Sequence, residues 1–162
     1  MFKPNRFPFH VSRRGFLAAG TAGAALLTPA MLRAEEPETQ ESEIEKKNEE
    51  VVLKMCEEIS HVDPAKLEPF FVYDFVFQLV DNQPLIEGNE ACMAMGQHFF
   101  QAFERAEVVI HLSYVIGNLV INERDDHFYP KTGGDRTTFQ VSGFFLVKDG
   151  KIVVWKDYAL PS

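Results

Sequence analysis

Cysteine is scarce: Cys56 and Cys92 are the only two in 162 residues. Two cysteines build no disulfide framework, and neither has a partner at metal-ligand spacing, so a cystine-stapled scaffold and a zinc module are set aside. Both fall in segments with helical apolar spacing, and buried free thiols are the expectation. Acidic residues are missing altogether from residues 1–34, where Lys3, Arg6, Arg13, Arg14 and Arg33 stand. The rest of the chain carries 11 basic residues against 24 acidic ones, a net charge of −13. Such a surface repels phosphate backbones and argues against nucleic-acid binding. There is no internal repeat, no Cys/His cluster and no nucleophile motif, and no metal or cofactor is implied. The one markedly apolar run, residues 18–31, is too short and too rich in glycine to span a bilayer well.

What is present points to one exported domain. Ser12-Arg13-Arg14-Gly15-Phe16-Leu17 precedes that Gly/Ala-rich run, and Leu32-Arg33-Ala34 supplies a small-residue exit. This is the layout of an export signal. Its paired arginines resemble the twin-arginine type, which implies the twin-arginine export machinery as a partner and a periplasmic or secreted location. An uncleaved segment would tether the domain to the membrane. Residues 35–44 are polar and acidic and read as a flexible leader, leaving residues 45–162 as the folded domain.

Hydrophobic residues make up 46% of the chain and phenylalanine alone contributes 15, enough for a core or an apolar pocket in one domain. Ser42 and Glu45 form a capping box. Ile44, Val51, Val52, Met55, Cys56 and Ile59 then recur at helical spacing, predicting a helix that ends near His61. Asp63-Pro64 opens a short second helix. Residues 70–80 read as a strand and 81–84 as a turn. Gly88-Asn89 starts a third helix, with Met93, Met95, Phe99, Phe100 and Phe103 available for packing. Residues 108–116, 119–128, 137–147 and 152–158 are β-rich runs separated by turn signals. Helices first and hairpins afterwards predict an α+β fold, three helices laid on one face of a curved antiparallel sheet, with room for a pocket between the layers.

Three polar groups interrupt the apolar strands. Asn122, Arg124 and Asp126 share one strand face, while Glu123 and Asp125 point the other way. Trp155 and Asp157 share a face, and Asn82 lies just beyond the first strand. One cation and two carboxylates in an apolar cavity would form an acid/base device, because burial raises a carboxyl pKa and the arginine lowers it. Charged residues are mostly exposed, so spacing alone favours a structural Arg–Asp pair at the sheet surface. His98 and His111 read as core or pocket-lining residues rather than metal ligands, and His127 as pointing away from Asp126.

The motifs shift that balance. Asn122-Glu123-Arg124 followed by Asp126 is similar to the Glu-Arg-x-Asp strand of the limonene-1,2-epoxide hydrolase family. Asp149-Gly150-Lys151-Ile152, followed after two residues by Trp155-Lys156-Asp157-Tyr158, is similar to its D/E-G-K-I-x-x-W-R-D-Y segment. Asn82-Gln83-Pro84 matches its Asn-x-Pro. The resemblance covers about residues 45–158 and implies the cone-shaped nuclear transport factor 2-like, or SnoaL-like, fold. It implies Asp157 as the base that activates water, Asp126 as the acid that protonates an epoxide oxygen, Arg124 as the bridge and Asn82 as a holder of the water. The reaction it implies is a single step without covalent intermediate or metal, on a small or medium apolar epoxide. Trp155 and Phe99 are expected to line the substrate pocket, together with Val80, which stands where the family has a tyrosine. A homodimer through an exposed sheet face is common in this fold. Two other readings stay open: a non-catalytic binding module for a small apolar molecule, and an isomerase- or cyclase-like enzyme of the same fold.

Overall fold

The computed structural model describes residues 40–79 and 83–159. The signal segment 1–34, residues 35–39 of the leader, Val80 and Asn82 lie outside the described residues, while residues 40–44, read as flexible leader, belong to the first helix. The first helix, α1, spans Gln40–Glu58 and runs on as a 3-10 turn, Ile59–His61. Val62 closes it in the left-handed region at φ 48°. Asp63 accepts a hydrogen bond from Ala65 N–H at 3.0 Å, which caps the short α2, Pro64–Leu67. After a second 3-10 turn the strands β1, Phe71–Gln78, and β2, Ile86–Glu87, lead to α3, Asn89–Phe100. Four long strands follow: β3, Phe103–Ile116; β4, Leu119–Pro130; β5, Thr137–Lys148; and β6, Lys151–Ala159. They form one six-stranded sheet in the order β2-β1-β6-β5-β4-β3.

The expected element order is present, with three differences. The sheet is mixed rather than antiparallel, because β1 runs parallel to β6, with Phe77 opposite Trp155. No local signal announces a pairing between the first and last strands, since the connection between them is the rest of the chain. The third strand starts at Phe103, which the helical spacing had assigned to packing on α3. Its charged start, Glu104 to Glu107, is held extended by pairing with β4, as in Arg105 opposite Tyr129, so tertiary pairing overrides local composition. Finally, β2 is two residues long and carries no detectable period.

The helices cover the inner face of the sheet. Val52, Met55 and Cys56 of α1 and Ile59 of the turn after it are buried with Val120, Phe145, Val147 and Ile152 from β4, β5 and β6. Each fully buried large side chain contributes roughly 1.5–3 kcal/mol. Both cysteines are buried free thiols. Polar contacts fix the height of α1 on the sheet. Gly117 N–H in the β3–β4 turn donates to Glu45 Oε1 at 2.8 Å, and Asn48 Nδ2 donates to Gly117 O at 3.0 Å. Glu45, expected in a capping box with Ser42, thus holds a hairpin about seventy residues away in sequence.

Candidate active site

The inner faces of β4 and β6 carry the predicted polar residues. Asn122, Arg124 and Asp126 alternate along β4, all buried, and Trp155 and Asp157 do the same on β6. Between these strands lies β5, and the register puts Gly143 directly between Asn122 and Asp157. That glycine makes the network feasible. A Cβ at position 143 would run into Arg124 Nη1 and would stand 2.7 Å from both Asn122 Oδ1 and the Phe145 ring. With hydrogen alone there, the guanidinium passes over β5 and reaches from one carboxylate to the other.

Arg124 is completely buried and spends its donors on three partners. Nε–H donates to Asp126 at 3.0 and 3.2 Å to the two oxygens. Nη2 donates to Asp157 Oδ2 at 2.7 Å, and Nη1 to Asn122 Oδ1 at 2.9 Å. Asp157 receives a second, separate donor, Trp155 Nε1–H to Oδ1 at 2.7 Å. The guanidinium also lies 5.8 Å from the ring centres of Phe145 and Trp155, close enough for ring faces to favour the cation.

One cation faces two carboxyls. Burial strips water from both and raises both pKa values above the ordinary 3.8, with Arg124 pulling against that rise. For Arg124, burial favours the neutral form, but Asp157 and Asp126 outweigh it and hold the guanidinium charged. One guanidinium balances one carboxylate, so a charge-neutral trio keeps its other carboxyl as the acid, and both carboxyls couple through Arg124. Donor geometry tells the two carboxyls apart. Asp157 has a short bond on each oxygen, which stabilises the ionised form, whereas Asp126 shares one N–H between its oxygens.

Asp126 and Asp157 both line a cavity of about 350 Å³ between the sheet and the helices, whose other walls are apolar except for Thr138 and Gln140. Trp155 and Phe99 line it too, with Phe71, Phe75 and Phe77 of β1 and Met93 and Met95 of α3. This places two proton-active groups against space sized for a small apolar molecule. Asn82 and Val80, the expected water holder and its neighbour, lie outside the described residues. Two histidines sit differently from expectation. His98 and His111 are exposed, not core or cavity-lining. His98 pairs with Gln101 on the outer side of α3. His111 is the extra residue of a bulge, where Ile110 and Leu112 face the consecutive pair Arg124 and Glu123, and it meets Asp125 at 3.2 Å on the outer face. His127, expected to point away from Asp126, is buried and bonds Thr138 Oγ1. Two contributors were missed in the sequence: Gly143, whose signal was a lone glycine inside an apolar strand pattern, and Asn122 as a partner of Arg124 rather than a bystander on its face.

Residues 52–155 match the family model described as SnoaL-like domain. No curated protein matches in sequence. Among solved structures, a LEH-like epoxide hydrolase from M. tuberculosis superimposes with a TM-score of 0.62 at 23% identity, covering 71% of this chain and 84% of its own. A candidate SnoaL-like polyketide cyclase from Jannaschia sp. CCS1 gives 0.62 at 22% identity, covering 74% and 89%. A hypothetical protein with a ketosteroid isomerase-like fold from Catenulispora acidiphila gives 0.60 at 17%, covering 67% and 84%. At these identities the likeness establishes the fold, which is nuclear transport factor 2-like, and leaves the chemistry to the site.

Proposed function

We propose, since this chain belongs to the SnoaL-like domain family and buries one arginine between two cavity-lining carboxyls, that it hydrolyses a small or medium apolar epoxide to a diol. The shared arginine carries the reading, because a purely structural ion pair has no need of a second carboxyl facing an apolar cavity. Asp157, the carboxylate with a separate donor on each oxygen, takes a proton from water. The water oxygen bonds to an epoxide carbon as the carbon–oxygen bond of the ring breaks. That electron pair stays on the ring oxygen, which takes the proton of Asp126. Charge merely exchanges between the two carboxyls while Arg124 holds both, so the site starts and ends neutral. A low-dielectric cavity suits a step in which no net charge appears. Asn82 is assigned to the water by the motif resemblance.

The test is diol formation by the folded domain from a panel of epoxides. Asp157→Asn should lower kcat by about 10²–10⁴, the range of general base catalysis. Full activity in that variant would end the hydrolase reading. Ligand affinity without turnover, alike in wild type and variant, would favour the binding module instead. We also propose that the Arg13-Arg14 segment exports the domain. Changing both residues to Lys should retain the precursor in the cytoplasm, and unimpaired export would refute the assignment.

A further inference from the structure

We infer that the ligand of this cavity is aromatic: the pocket selects an aryl-bearing molecule over a saturated one of the same shape. The inference deepens the epoxide reading, which it takes as its premise. Eight of the 21 residues lining the cavity are aromatic, against 12% of the whole chain, so the enrichment belongs to the pocket rather than to composition.

Those rings form two groups of different geometry. On the β1 and β6 side, Phe71 and Phe75 stack at 4.0 Å and 16°, Phe75 and Phe77 lie at 6.2 Å and 17°, and Phe77 meets Trp155 at 4.7 Å. On the side of α3, β4 and β5, Phe99 meets Phe128 edge-on at 5.0 Å and 88°, and Phe128 meets Phe139 at 5.9 Å and 69°. Among the described residues no ring pair joins the two groups, and the cavity touches both. Each group also adjoins a carboxyl: Trp155 is two residues from Asp157 on β6, while Asp126 is two residues from Phe128 and opposite Phe139 in the register. A flat ring in the gap would lie between the two groups, within reach of the offset and edge-to-face contacts that aromatic quadrupoles favour. Its substituent would point toward Asp126 and Asp157. A saturated ring fills the same volume but offers no such electrostatic match. Because a cyclohexyl group is the more hydrophobic of the two, apolar burial alone predicts the opposite preference.

The chain holds a single tryptophan, Trp155, and it lines the cavity, so its fluorescence reports occupancy without any turnover. Binding of 1-phenyl-1,2-ethanediol and 1-cyclohexyl-1,2-ethanediol should differ by about five- to tenfold in favour of phenyl, from one or two ring contacts. The ratio of kcat/KM for styrene oxide over cyclohexyloxirane should lie in the same direction. In Phe139→Leu, a half-exposed position where folding is insensitive, the binding preference should shrink, and Phe99→Leu should shrink it further. Equal or reversed affinity for the two diols overturns the inference, whatever the enzyme does with epoxides. A phenyl preference with no epoxide turnover supports aromatic recognition while refuting the hydrolase reading, so the two failures are told apart.

Discussion

The two faces of β4 carry similar residues to opposite ends. Inward, Asn122, Arg124 and Asp126 are buried and bonded to one another. Outward, Glu123 and Asp125 form the other half of the same alternation, which ends at the buried His127. Asp125 and Asp126 are chain neighbours, yet Asp125 meets His111 and Gln140 at the protein surface, where an ion pair contributes about 0–1 kcal/mol. Asp126 shares a dehydrated arginine with a carboxyl from another strand. The residue type is identical, so the behaviour is set by which side of the pleat it occupies and by what the neighbouring strands leave room for.

Removing the inward cation should break this contrast most severely. Arg124→Met leaves two buried carboxyls without their charge partner, and the loss should be about 3–5 kcal/mol in urea unfolding at neutral pH. The loss should be smaller in acid, where both carboxyls are protonated, and Arg124→Lys should lose less than Met because it keeps a charge but not the planar fork. An equal loss at both pH values would mean that the destabilisation is packing and not charge.

Gly143→Ala asks whether the bridge depends on empty space in β5. The added methyl must displace the guanidinium or the strand, at about 1–3 kcal/mol. It should also lower any catalytic rate, because the arginine could no longer hold both carboxyls. Unchanged stability would show that Arg124 has another route across the sheet.

The smallest expected effect sharpens the comparison by pH. Both inward carboxyls have raised pKa values in the fold, so the folded state keeps protons that the unfolded chain releases. That stabilisation is complete below the ordinary value of 3.8 and is lost as pH rises through the raised values. Asp126→Asn leaves Arg124 balanced by Asp157 alone and should flatten this decline. Asp125→Asn should follow the wild type within about 0.5 kcal/mol at every pH. Parallel curves for all three proteins would remove the case for a shared buried proton.

Local alternation made the inward set legible: a period of two places Asn122, Arg124 and Asp126 together, and likewise Trp155 with Asp157. The helices were legible from apolar spacing and from the Asp63-Pro64 start. What alternation could not supply was distance across strands. Nothing near Asp157 says that Arg124 will reach it, since that depends on the register of two hairpins and on a missing side chain at Gly143. The parallel pairing of β1 with β6 was hidden for the same reason. His111 was misjudged because one bulged residue changes which way a strand position faces.

The parallel pairing also orders events in time. Asp157 and Trp155 arrive on β6, which must enter between β5 and β1, the first strand made. Until it does, the chain has Asp126 and Arg124 but no second carboxyl and no closed aromatic wall. Closing so long a loop is slow relative to hairpin formation. Refolding followed through Trp155 should therefore lag behind the gain of β-structure followed by circular dichroism. On this route the site is the final part of the molecule to exist, and its appearance marks the end of folding.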